Sequence, residues 1–232
     1  MTDPITYLTG ASACAPSPGP YALWSVLEFR PGNDFSRSGT ELIGEIGRAE
    51  LEGVRVSGVY DVIGSRTSSA VMIWLQGRNV ASLQRARRRL RRTASLRPLA
   101  PLWGAVGVHR VLELARAQPA SMLGSAAEKW LAVSPFLARS EWYLLPPNDQ
   151  APILAERARK QAEFPGVRTN TLAAFTLGNY EWISTLESDI LTDIVDLTRA
   201  LRQTTARRYV QAETPAYVGR RISIPELLEI LK

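Results

Sequence analysis

One order of elements, strand–helix–strand–strand–helix–strand, recurs twice along this 232-residue chain. It constrains the fold more than any single motif does. Residues 21–30 have strand composition and end at Pro31-Gly32. Periodicity predicts a helix over 39–51, strands over 54–62 and 70–76 joined by a turn at 64–69, a helix over 80–93 and a strand over 102–110. The second half predicts a strand over 130–137, a helix over 149–163, strands over 169–176 and 180–187 joined by Leu177-Gly178-Asn179, a helix over 190–204 and a strand over 214–218.

Faint self-similarity supports a duplication. The second helix of the first half closes on R-R-L-R-R-T (88–93), and that of the second half on R-A-L-R-Q-T (199–204). A strand leucine, Leu75 or Leu186, precedes each closing threonine by 18 residues. Two such halves are the ferredoxin-like plan, an α+β fold of tandem repeats. Each sheet can bury one face against helices and the other against its counterpart, the dimeric α/β-barrel arrangement with an interior suited to a ligand. The expected organisation is a loose leader over 1–20, an N-terminal half over 21–112, a connector over 113–129 and a C-terminal half over 130–232.

The charge balance is +6, with much of the excess in Arg85, Arg87, Arg88, Arg89, Arg91 and Arg92. On a helix these surround an inward stripe of Leu83, Ala86 and Leu90, and the expected role is a solvated basic face. No stacking aromatics or binding module accompany it, so nucleic acid is not an expected partner. One cysteine, Cys14, excludes an internal disulfide and suits a reducing cytoplasm. No run of about 18 apolar residues is present and the N-terminus lacks a secretion signal, so a cytoplasmic protein without a membrane span is expected.

Several motifs resemble the actinobacterial coproheme decarboxylase branch of the chlorite dismutase family. They are V-S-G-V-Y-D-V-I-G-S-R (56–66), V-M-I-W (71–74), V-H-R (108–110), S-E-W-Y-L-L-P (140–146), F-P-G-V-R-T-N-T (164–171), L-G-N-Y-E-W-I (177–183), R-R-Y-V (207–210) and Y-V-G-R-R (217–221). The resemblance implies the tandem ferredoxin-like fold, a homopentamer, and haem or coproheme in the C-terminal half. It places a proximal histidine at Arg157, a radical-forming tyrosine at Ser134 and a distal histidine near Gln118; none of the three is kept. Asn170 of the R-x-N-T motif is kept.

Those losses set the expected chemistry. A guanidinium stays protonated and offers no lone pair to a metal. Serine cannot form the radical that tyrosine can. No cofactor is therefore expected, although haem or coproheme is the family's. His109, the sole histidine, is expected to be a satisfied structural residue. One cysteine and one histidine exclude a Cys/His zinc site. Asp189 and Asp193, at i and i+4 on a helix and without His or further carboxylates beside them, read as an exposed face.

A guanidinium facing a cavity suits a carboxylate or phosphate. Arg157, Asn170, Gln118 and Arg168 are the candidate ligand-binding residues for an anionic small molecule, and Arg157, Ser134 and Tyr143 are the catalytic candidates. Alternatively Arg157 pairs with an acid such as Glu187, or points to solvent. Three functions stay open: a haem-independent enzyme of the oxygenase, isomerase or cyclase kind found in the wider superfamily; a non-catalytic ligand-binding protein or subunit partner; and a haem or coproheme protein with atypical ligation.

Overall fold

The computed structural model describes residues 20–29, 39–62, 69–110, 126–212 and 215–231. The chain is α+β and divides into two compact units, Met1–Gly104 with Arg221–Lys232, and Ala105–Arg220. Gln118 lies outside the described residues.

The first unit contains β1 (Tyr21–Glu28), α1 (Thr40–Leu51), β2 (Val54–Val62), β3 (Ser69–Gly77), α2 (Val80–Leu90), the start of β4 (Ala100–Val108) and, from the C-terminus, α6 (Ile224–Ile230). Its sheet runs β4-β1-β3-β2, with β3 antiparallel to both β1 and β2. Trp24 and Trp74 face each other across β1 and β3 and stack at 6.2 Å. The arginines of α2 are less idle than expected. Arg87 donates to Ser25 Oγ at 3.1 Å, and Arg89 bridges Glu45 and Glu52 at 2.8 and 2.9 Å. Arg85, Arg88 and Arg92 are the exposed ones.

The second unit holds β5 (Trp130–Ala138), α3 (Ser140–Leu144), α4 (Pro147–Ala162), β6 (Arg168–Ala173), β7 (Trp182–Ser188), α5 (Leu191–Leu201), a 3₁₀ turn over Thr205–Tyr209, β8 (Val210–Ala212) and most of β9 (Tyr217–Ile222). β6, β7, β5 and β9 pair antiparallel in that order, β8 pairs with the end of β5, and Val108 of β4 pairs with Ala173. Both halves thus keep the expected order of six elements, with α3, the 3₁₀ turn, β8 and α6 added.

The two closing threonines show why each second helix stops short of its expected end. Thr93 Oγ1 donates to the Leu90 carbonyl at 2.7 Å, and Thr204 Oγ1 to the Leu201 carbonyl at the same distance. Each hydroxyl adds a second hydrogen bond to a last-turn carbonyl that the threonine's own backbone N–H also reaches. The structural equivalence matches the sequence echo. Asp189 precedes α5 instead of lying on it, and accepts from the Lys129 N–H at 3.0 Å. The final strand covers Tyr217–Ile222, three or four residues later than expected at each end.

Gly107 sits where backbones crowd within the second unit. A Cβ there would lie 2.8 Å from Leu172 Cβ and 3.3 Å from Ile183 Cδ1. Cβ of Leu172 cannot swing away, so Gly107→Ala is expected to destabilise the protein by about 1–3 kcal/mol, read as a lower thermal midpoint.

Candidate functional site

Register decides what shares a face in the second unit. Ser134 lies opposite Ser184, and Ser184 opposite Thr171. Directly paired residues project to the same side, so three hydroxyls form one row across β5, β7 and β6. One row away stand Ala132 and Leu186, which pack with Val167 and with Ile194 and Leu197 of α5. On the other side stand Phe136, Trp182 and Ala173, which pack with Trp142 of α3 and with Ile153 and Leu154 of α4. The hydroxyl row therefore separates two apolar clusters on the helix-covered face.

Arg157 belongs to this face as well. Residues three and four apart on a helix are neighbours, so Arg157 shares the side of α4 that carries Ile153 and Leu154. It lines a small pocket of about 20 Å³ with Phe136, Ala138, Trp142, Thr171 and Tyr209. No residue of α4 is fully buried. The helix is tied down by Gln150, which donates to the Trp142 carbonyl at 2.9 Å, and by Glu156, which accepts from the Thr205 N–H at 3.0 Å. Thr205 holds the Glu156 carboxyl below the usual carboxylate range, chiefly through its side-chain hydrogen bond.

Trp142 is 2% exposed and its ring lies 5.5 Å from that of Tyr209. Its indole N–H is buried and has no hydrogen-bond partner. An unmet buried donor costs about 1–3 kcal/mol.

The other candidates fall elsewhere. Tyr143 Oη accepts from Trp182 Nε1 at 2.9 Å and donates to Glu181 Oε2 at 2.7 Å, while the same carboxylate oxygen accepts from the Ala138 N–H. That network pins α3 to the sheet. Successive strand residues point to opposite faces, so Arg168 and Asn170 lie on the side away from Thr171. Arg168 bridges Glu187 at 3.1 Å and Glu128 at 3.2 Å, and donates to the Ala126 carbonyl at 2.7 Å. Glu187 is thus paired with Arg168. Burial pushes the Glu187 carboxyl up, with Arg168 opposing the shift. Asn170 is buried and its Oδ1 has no partner.

The structure therefore brings together Arg157 with Thr171, and through Thr171 the row containing Ser134. It separates these from Arg168 and Asn170. Trp142, Thr171, Ser184 and Tyr209 were not anticipated; strand parity in R-T-N-T could have singled out Thr171. His109 follows β4 directly, and its Nε2 is buried without a partner, contrary to the expected satisfied histidine. Among the described residues no group of three His, Cys, Asp or Glu could hold a metal ion, and no helix is long and apolar enough to cross a membrane.

An α+β chain of this topology is of the chlorite dismutase type. It superposes on the chlorite dismutase of Candidatus Nitrospira defluvii in complex with imidazole with a TM-score of 0.79 and 19% identity, covering 91% of this chain and 95% of that one. A doubly substituted variant of that enzyme gives a TM-score of 0.77 and 21% identity over 91% and 94% of the two chains. The family model for chlorite dismutase matches residues 36–222. The coproheme decarboxylase of Mycolicibacterium smegmatis is 38% identical over 214 residues, 90% of this chain and 92% of the relative. The chain belongs to the chlorite dismutase family.

This kinship overturns the expectation that no cofactor is used, since a relative sharing 38% of its residues over nearly the whole chain is a coproheme decarboxylase. The inference from Arg157 reached too far: losing an imidazole removes one way to hold iron and says nothing against holding a porphyrin ring. The residues present fit such a group in part. Phe136, Trp142 and Tyr209 offer aromatic walls and Arg157 a cation for a carboxylate. An imidazole is missing from the pocket wall, where Tyr209 carries the one side chain of a class that ligates haem iron.

Proposed function

We propose that this chain binds a carboxylated porphyrin, coproheme or a haem close to it, in its second unit, without histidine ligation and without decarboxylating it. The observation that carries this reading is Arg157 on the wall of an aromatic pocket in a chain 38% identical to a coproheme decarboxylase. Bound haem iron would supply redox and ligand-exchange chemistry. The chain's own contribution is to stack against the ring with Phe136, Trp142 and Tyr209, and to neutralise a carboxylate with Arg157.

A pocket of about 20 Å³ has room for one or two water-sized groups. Seating the ring requires α4 to move off the sheet, which its half-buried face makes cheap relative to unpacking a core helix. Ser134 offers a hydroxyl where a tyrosine would be needed for radical chemistry, so the propionate groups stay intact. The two halves are read as tandem ferredoxin-like repeats, and self-assembly accompanies them, giving a light-scattering mass near five times 25.6 kDa.

The test is a titration of the purified protein with coproheme, haem and iron-free coproporphyrin, followed by absorption. Saturable binding of all three is expected, with coproporphyrin within about tenfold of coproheme because no imidazole–iron bond adds to affinity. The coproheme spectrum should lack the signature of imidazole-ligated iron, and incubation with an oxidant should leave the propionate count unchanged by mass spectrometry. Failure of all three porphyrins to bind would sink the reading.

A further inference from the structure

We infer that α4 is a strap over the pocket, latched at its middle by Glu156 and lifted from Pro152 onward to admit a ligand. The inference rests on the reading above for what enters, and assigns the control of entry to side chains of α4. Glu156 stands beside Arg157 on α4, and Thr205 beside Ala206 on the 3₁₀ turn. Arg157 and Ala206 both line the pocket. The hydrogen bond from the Thr205 N–H to Glu156 Oε2, at 3.0 Å, therefore ties together two elements that wall it.

Three features make α4 a strap. The latch is concentrated in one side chain, since Glu156 accepts from both the N–H and the side chain of Thr205, and Arg159 and Arg208 favour its charged form. A hydrogen bond to a charged acceptor is stronger than a neutral one. The rest of the helix is loosely held: no residue of α4 is fully buried, and Ile153 and Leu154 are only partly so. An element with few buried apolar contacts opens locally at low free energy. Finally, Pro152 lies inside α4 and has no N–H for the Asn148 carbonyl, which marks where the helix gives way. Before that point Gln150 is tied to the Trp142 carbonyl, and beyond the helix Phe164 packs with Val167, Ile194 and Leu197. Residues 153–162 are thus anchored at both ends and latched between them.

The experiment measures hydrogen exchange of the α4 amides in the full chain without ligand, and the stopped-flow rate at which iron-free coproporphyrin enters. Amides of 153–162 are expected to exchange through local opening, well ahead of those of β5 and β7. Glu156→Ala should speed both that exchange and coproporphyrin entry roughly tenfold or more, with the β5 and β7 amides unmoved as a check on folding. Pro152→Ala supplies the missing helix hydrogen bond and should slow both roughly fivefold or more. Gln150→Ala frees only the anchored end before Pro152, and should change entry far less than Glu156→Ala does. Amides of 153–162 as protected as those of β5 and β7, or equal acceleration by Glu156→Ala and Gln150→Ala, would overturn the strap. Should Glu156→Ala fail to fold, the opposite sign expected of Pro152→Ala decides by itself. Local opening of α4 without coproporphyrin binding would sink the porphyrin reading alone, and coproporphyrin binding to a protein whose α4 stays shut would sink this one alone.

Discussion

Arg168→Met is expected to destabilise the protein by about 3 kcal/mol, while Arg168→Met combined with Glu187→Leu should recover most of that loss. Glu187 is 4% exposed and Arg168 is its close cation at 3.1 Å. Removing the cation leaves a buried carboxylate whose remaining polar contact here is the Glu128 N–H at 3.3 Å. Removing both ions exchanges a desolvated pair for apolar packing, which is often neutral or better. Urea unfolding of the four members of the cycle gives the coupling directly.

The pH dependence has a definite sign. Burial raises the folded Glu187 pKa above its unfolded value, so folding takes up a proton in the window just above the ordinary carboxylate range. Stability therefore falls as pH rises through that window. Arg168 limits the fall, and its removal should make the penalty of Arg168→Met larger at pH 8 than at pH 4. A penalty independent of pH, or a double variant no better than the single one, would show that the pair does not carry the effect. Because Arg168 faces away from the pocket, Arg168→Met should leave porphyrin affinity unchanged wherever the protein is folded.

Much of this architecture was legible because its signals are local. The doubled order of six elements follows from periodicity and turn residues, and the threonines closing each second helix proved to make the same hydrogen bond. Family membership was legible through motifs at fixed spacing. What sequence reading could not resolve was parity. Arg168, Asn170 and Thr171 are near neighbours in one motif, yet alternation along β6 sends Thr171 to the pocket and the other two to the opposite face. The unmet Trp142 N–H was invisible too, because whether a buried donor finds a partner depends on packing between α3, α4 and the 3₁₀ turn. The cofactor expectation failed for a different reason: it equated losing an iron ligand with losing the ring.

Arg157→His is expected to convert the coproheme complex to one with the absorption signature of imidazole-ligated iron, while weakening iron-free coproporphyrin roughly tenfold. Both effects follow from the place of residue 157. It shares the side of α4 that packs on the sheet through Ile153 and Leu154, and it lines the pocket. A neutral imidazole there offers a lone pair that a guanidinium never does. The same exchange removes the fixed cation that pairs with a carboxylate, so the metal-free ligand loses a contact that the iron-bearing one regains through its metal. Opposite responses to one substitution distinguish a ligation site from a general change in packing, which would move both ligands alike. If coproheme affinity and spectrum were unchanged in Arg157→His, the porphyrin would not lie against α4. If the unsubstituted protein already showed imidazole ligation, His109 would be the source, because the chain has no other histidine, and His109→Ala would abolish it.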